Sequence, residues 1–160
     1  MERAFNLMVA RHAIEEVIFS YAEAIDSGRV EDLISLLAEC DLTLPDGGML
    51  SGGAAIAARY RDLIIFYDDD GKALPQGTRG GTPRTRHVIT NLRYTFSSDA
   101  RSAEVSSYLT VYQNLDGANS IVAGGRYVDR FELTIGGWRM KAKEIFIEQG
   151  GDMSRHTHGS

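Results

Sequence analysis

The run His87-Val88-Ile89-Thr90-Asn91-Leu92-Arg93-Tyr94-Thr95-Phe96 is the first of four long segments rich in β-branched and aromatic residues, and it decides the architecture. The others are Ala103–Gln113, Ile121–Thr134 and Gly137–Glu148. Turn residues separate them at Ser97-Ser98-Asp99, Asp116-Gly117-Ala118 and Gly136-Gly137. Connections this short join antiparallel neighbours, so the second half of the chain is expected to be a meander. Strict alternation in the first strand puts His87, Ile89 and Asn91 on one face. It puts Val88, Leu92, Tyr94 and Phe96 mostly on the other.

Upstream, Asp68 to Thr85 has no periodicity; it carries four Gly, two Pro and three consecutive Asp, and reads as a long loop beside the mouth of any cavity. Before it the pattern is helical. Ile14, Val17, Ile18, Tyr21 and Ile25 recur at spacings of three and four, and Gly28 is placed to end that helix. Val30, Leu33, Ile34 and Leu37 mark a short second helix. Ile56, Tyr60, Leu63, Ile64 and Tyr67 mark a third, with Ser51 as its expected N-cap. Between these two, Asp41 to Leu50 reads as a small hairpin turning at Pro45-Asp46-Gly47-Gly48. Helices followed by a meander imply an α+β domain with the helices packed on one face of a curved sheet. A single domain over residues 1–150 is expected, followed by a polar, frayed tail at 151–160.

Composition narrows the function. The 160 residues carry a net charge of −5 and no concentrated basic face, which argues against a nucleic-acid partner. No apolar run approaches the roughly 20 residues that span a bilayer. The lone Cys40 cannot form an internal disulfide, fits a reducing, cytoplasmic setting and ends an apolar stripe as a small core residue. No histidine pair has zinc-ligand spacing, and the tail pair His156 and His158 reads as solvated. The acidic run Asp68-Asp69-Asp70-Gly71 lacks the alternation and closing Glu of a calcium loop.

Two side chains stand out as chemistry. Asp26 lies in the last turn of the first helix, where the helix dipole disfavours a carboxylate. It could face inward, or it could cap the next helix. His87 opens a strand on a half-apolar face, and imidazole suits acid–base work near neutral pH; the plainer alternative is a hydrogen-bonded histidine near a strand end.

Four segments together carry a resemblance. They are Tyr21-Ala22-Glu23-Ala24-Ile25-Asp26-Ser27-Gly28, Thr85-Arg86-His87-Val88-Ile89-Thr90-Asn91, Gly124-Gly125-Arg126-Tyr127-Val128-Asp129-Arg130-Phe131 and Gly136-Gly137-Trp138-Arg139. In order and spacing they resemble the SnoaL-like branch of the nuclear transport factor 2-like superfamily, which has a cystatin-like fold. The resemblance implies a cone: a curved mixed sheet around an apolar cavity, with three N-terminal helices closing it. Relatives include scytalone dehydratase, hexachlorocyclohexane dehydrochlorinase and bile-acid 7-alpha-dehydratase. By that likeness Asp26 and His87 form a catalytic dyad, and Tyr21, five residues before the Asp, is a third catalytic residue. Tyr60, Asn91, Tyr127 and Lys143 are expected to contact substrate; Lys143 stands where related sequences often carry Arg. The implied chemistry is elimination or double-bond isomerisation of a small hydrophobic cyclic molecule of aromatic, polyketide or steroid size. No metal or organic cofactor is expected, and a homo-oligomer (dimer or trimer) is. Two alternatives stay open: a structural subunit like the β subunit of ring-hydroxylating dioxygenases, and a non-catalytic small-molecule binder.

Overall fold

A computed structural model describes residues 1–159. Helix α1 spans Glu2–Asp26, a 3₁₀ turn Val30–Asp32, α2 Leu33–Leu36 and α3 Gly53–Leu63. The strands are β1 (Asp41–Thr43), β2 (Met49–Ser51), β3 (Thr85–Phe96), β4 (Ser102–Leu115), β5 (Ala118–Thr134) and β6 (Gly137–Gly150). They form one mixed sheet in the order β2-β1-β6-β5-β4-β3. The β1–β2 hairpin joins parallel to β6 through Leu42 opposite Lys143, and every other pairing is antiparallel. The sheet is open, with β2 and β3 at its edges.

The α1 stripe forms as its spacing predicts: Ile14, Ile18, Tyr21 and Ile25 are buried. They meet Leu33 and Leu37, Ile56 and Tyr60 of α3, and the inward residues Val105, Leu109, Val111 and Phe131 of the sheet. Each such side chain contributes about 1.5–3 kcal/mol when fully buried. Three local expectations are corrected. Ile34 stays exposed, because α2 is a single turn that buries Leu33 and packs Leu36 partly against the core. Helix α3 ends at Leu63, and Ile64–Tyr67 leaves it as extended chain. Ser51 belongs to β2, where its hydroxyl donates to Asp41, so the α3 N-cap is Gly52.

The sheet bends at bulges, which add twist and redirect side chains. In β3 the register slips between Thr90 and Arg93, and Asn91 takes φ 55°, a left-handed conformation that Asn tolerates better than most residues. That extra residue overturns the strict alternation. Ile89 before the bulge and Leu92, Tyr94 and Phe96 after it all pack against the core, while Asn91 is thrown outward and exposed. In β5 the register slips at Gly124 and Gly125. A Cβ at Gly125 would lie 1.9 Å from the Phe146 carbonyl oxygen, so only glycine permits that approach.

Among the described residues the C-terminal tail is hydrogen-bonded to the body of the domain rather than frayed. Ile65 N–H donates to the His156 carbonyl, His158 N–H to Leu63, and Thr157 bridges to Ile64. The Arg155 carbonyl accepts from Tyr67 Oη at 2.5 Å and from Gln113 Nε2 at 3.1 Å. Backbone groups left unpaired beyond α3 are satisfied by the tail, which is why a segment with little apolar content still docks. The Asp68–Thr85 loop is tied by two backbone bonds between Tyr67 and Thr82, and by Arg84 donating to the Asp68 and Asp69 carbonyls. Its far end passes the outer side of Asp26.

Candidate active site

Asp26 and His87 meet where the end of α1 crosses the start of β3. Ser27 N–H and Gly28 N–H close the last turn on Glu23 and Ile25, and Gly28, at φ 74°, turns the chain away. The Asp26 carboxylate is left directed at β3, almost fully buried. Its Oδ1 lies 2.6 Å from His87 Nδ1 and accepts from Thr85 Oγ1 at 2.7 Å. Its Oδ2 accepts the His87 backbone N–H at 2.7 Å. Burial pushes the Asp26 carboxyl upward. The bonds from the His87 ring, its N–H and Thr85 outweigh that, and the net shift is downward. Those bonds also offset the unfavourable helix end on which the carboxylate sits. An ionised Asp26 facing Nδ1 selects the tautomer with the proton on Nδ1, which leaves Nε2 on the far side of the ring as a free base.

His87 lines a cavity of about 130 Å³ between α1, α3 and the concave face of the sheet. The wall is mainly apolar, with Leu109, Val111 and Ile145 among its residues. Tyr21, Tyr60 and Tyr127 line it too. The Tyr21 and Tyr60 hydroxyls lie 2.6 Å apart, and the Tyr21 and Tyr127 rings stand edge to face with centroids 6.2 Å apart. Burial pushes all three phenols above their ordinary range, so they stay protonated and can donate.

Two of the residues expected to contact substrate stand elsewhere. Asn91 is on the outer face because of its bulge. Lys143 is fully buried behind the tyrosines and takes no part in the cavity wall. The β5–β6 register sets it opposite Asp129, whose two carboxylate oxygens accept from Nζ at 3.0 and 3.3 Å. Nζ also lies 3.4 Å from the Tyr127 ring centroid and 4.4 Å from that of Tyr21. Lys143 therefore supports the tyrosines from below. Cys40 is buried beside this pair, and burial pushes its thiol up to about 12, so it is no nucleophile at neutral pH.

One cavity residue was missed in the sequence. His156, expected in solvent, is 7% exposed and lines the same cavity as His87. Met153 and Thr157 of the tail stand beside it in the wall. Burial lowers the His156 imidazole to about 4, helped by repulsion from His87 and opposed by Asp26. Among the described residues, no three His, Cys, Asp or Glu side chains are grouped to hold a metal ion. Among the same residues no helix is long and apolar enough to cross a membrane.

Residues 8–144 match the model of the SnoaL-like domain, and the chain belongs to that family. Solved structures agree on the fold. An NTF2-like protein with a cystatin-like fold from Novosphingobium aromaticivorans is 22% identical, over 96% of this chain and 92% of its own, with a TM-score of 0.70. A protein of the same organism, provisionally named scytalone dehydratase, is 21% identical over 93% and 91%, also with a TM-score of 0.70. LinA is 17% identical over 91% and 90%, with a TM-score of 0.67. Among curated proteins no sequence matches the chain.

Proposed function

We propose that this SnoaL-like domain is a cofactor-independent lyase or isomerase that acts on a small hydrophobic cyclic molecule. One observation carries the reading: the Asp26–His87 pair leaves an imidazole nitrogen over on the wall of an apolar cavity. Nε2 of His87 takes a proton from a carbon next to a carbonyl or leaving group, and the C–H electron pair moves into the new double bond. In an elimination the hydroxyl leaves with the proton returned by the His87 imidazolium and becomes water; in an isomerisation that proton returns at another carbon. Asp26 stabilises the imidazolium formed midway. The Tyr21 and Tyr60 hydroxyls share one of their two hydrogens, and the other serves the developing negative charge on the substrate oxygen.

At about 130 Å³ the cavity is smaller than the roughly 300–1,000 Å³ of drug-sized sites, so a one- or two-ring molecule fits better than a steroid. Assembly as a dimer or trimer through the outer sheet face is supported by the exposed Tyr108, Tyr112 and Ile121 there, and sizing chromatography tests it. The chemistry is tested with β-tetralone, a two-ring ketone with acidic α-hydrogens, in deuterated buffer. The wild-type protein should accelerate α-deuteration, and a folded His87→Ala protein should not. A protein that binds the ketone without exchanging its α-hydrogens is a binder, and the catalytic reading fails.

A further inference from the structure

The C-terminal segment Asp152–His158 does two separable things. Its main chain attaches it: the His156 and Arg155 carbonyls and the His158 N–H bond to the body of the domain, while the His156 and Thr157 N–H groups close a turn on the Met153 carbonyl. Arg155 adds an ion pair to Asp116 at 2.7 Å. The His156 side chain is not needed for any of this. It reaches the cavity, and its Nδ1 is buried with no hydrogen-bond partner among the described residues. An unpaired buried polar atom destabilises a fold, and Leu or Phe would fill an apolar wall without that cost. An imidazole on this wall is placed to bond to whatever enters the cavity.

We propose that His156 recognises an oxygen of the ligand, a carbonyl or hydroxyl, by a hydrogen bond from its imidazole ring. The inference rests on the reading of the cavity as the substrate site, and it names the substrate class more narrowly: a compact cyclic ketone or alcohol. The groups facing His156 support a neutral ring. His87 stands on the same wall and becomes cationic when it takes a proton, which opposes a second charge nearby. The phenols of Tyr21, Tyr60 and Tyr127 are uncharged, and apart from Thr157 the remaining wall is apolar. A neutral histidine donates to an oxygen without competing with His87 for the proton. His87 and His156 thus divide the work, one taking the proton and the other holding the oxygen.

The test compares binding of β-tetralone with binding of tetralin, the hydrocarbon of the same shape, to the full chain. The wild-type protein should favour the ketone. In His156→Leu that preference should fall about 3- to 10-fold, the size of one net hydrogen bond, while tetralin binds as before. His156→Gln, which can still donate, should recover part of it. Without ligand, His156→Leu should melt no lower than wild type, whereas a histidine that merely holds the tail would lower the melting temperature. A wild-type protein that does not favour the ketone, or an unchanged preference in His156→Leu, overturns the proposal. The binding ratio is independent of turnover. Loss of α-deuteration in His87→Ala with the ratio intact speaks for the dyad alone, and a changed ratio in a protein that never exchanges α-hydrogens leaves His156 recognition standing without catalysis.

Discussion

Among the described residues two acid–base pairs are buried, and they differ in what is left over. In Asp129–Lys143 both side chains are wholly shielded from solvent, and Nζ is enclosed by the carboxylate and two aromatic rings. In Asp26–His87 the carboxylate is equally engaged, with bonds from Thr85, the His87 ring and the His87 N–H, but the ring has a second nitrogen and stands on a cavity wall. Burial and pairing are common to both, so neither marks a reactive site. Reactivity needs a titratable atom with no internal partner facing a space that a substrate can enter. By that criterion Lys143 belongs with the scaffold, whereas His87 and His156, which line the cavity, are the residues proposed to act on a ligand.

The sharpest test of this contrast is at His87. Its replacement by Ala should slow α-deuteration of β-tetralone by about 10²–10⁴-fold, with circular dichroism unchanged. Asp26→Asn should also slow it, because an amide cannot stabilise an imidazolium and can select the wrong tautomer. The double variant should be little slower than His87→Ala alone, since the pair acts as one unit. Additive losses would mean that the two residues work independently.

The scaffold pair should respond in stability. Lys143→Met leaves Asp129 as an uncompensated buried charge and should cost about 3–5 kcal/mol in urea denaturation. Adding Asp129→Leu should recover most of that, because apolar replacement of a whole buried pair is often neutral. If the folded double variant also loses α-deuteration while His87 and Asp26 are intact, Lys143 belongs to the site after all and the contrast collapses.

The smallest effect is the pH dependence set by His156. An unfolded histidine titrates near 6.5, and the folded one is lowered to about 4. Between these values the unfolded chain binds more protons, so stability rises with pH across the window and is lost as pH falls through it. The full span amounts to about 3 kcal/mol as an order of magnitude. His156→Leu should flatten the wild-type slope between pH 6.5 and 4. Asp26 acts below that window, because its carboxyl is held below the ordinary value and its contribution disappears as pH drops through the lowered one. A wild-type slope that survives in His156→Leu would assign the window to another group.

The sequence determined the elements and their order. Periodicity along α1 and the four β-rich segments come from burial on one face, which is a local rule and therefore legible residue by residue. Asp26 and His87 were legible as candidates, since a carboxylate at a helix C-terminus departs from local preference and an imidazole on a half-apolar strand face suits acid–base work. Only the tertiary structure decided which residues face the cavity. Asn91 left the inner face because one extra residue in β3 reversed the alternation, a change of register that the pattern of side chains does not reveal. Lys143 became scaffold because the β5–β6 pairing set it against Asp129, a partner 14 residues away. His156 entered the cavity because the tail docks through backbone hydrogen bonds, which every residue type can make and which therefore leave no trace in composition.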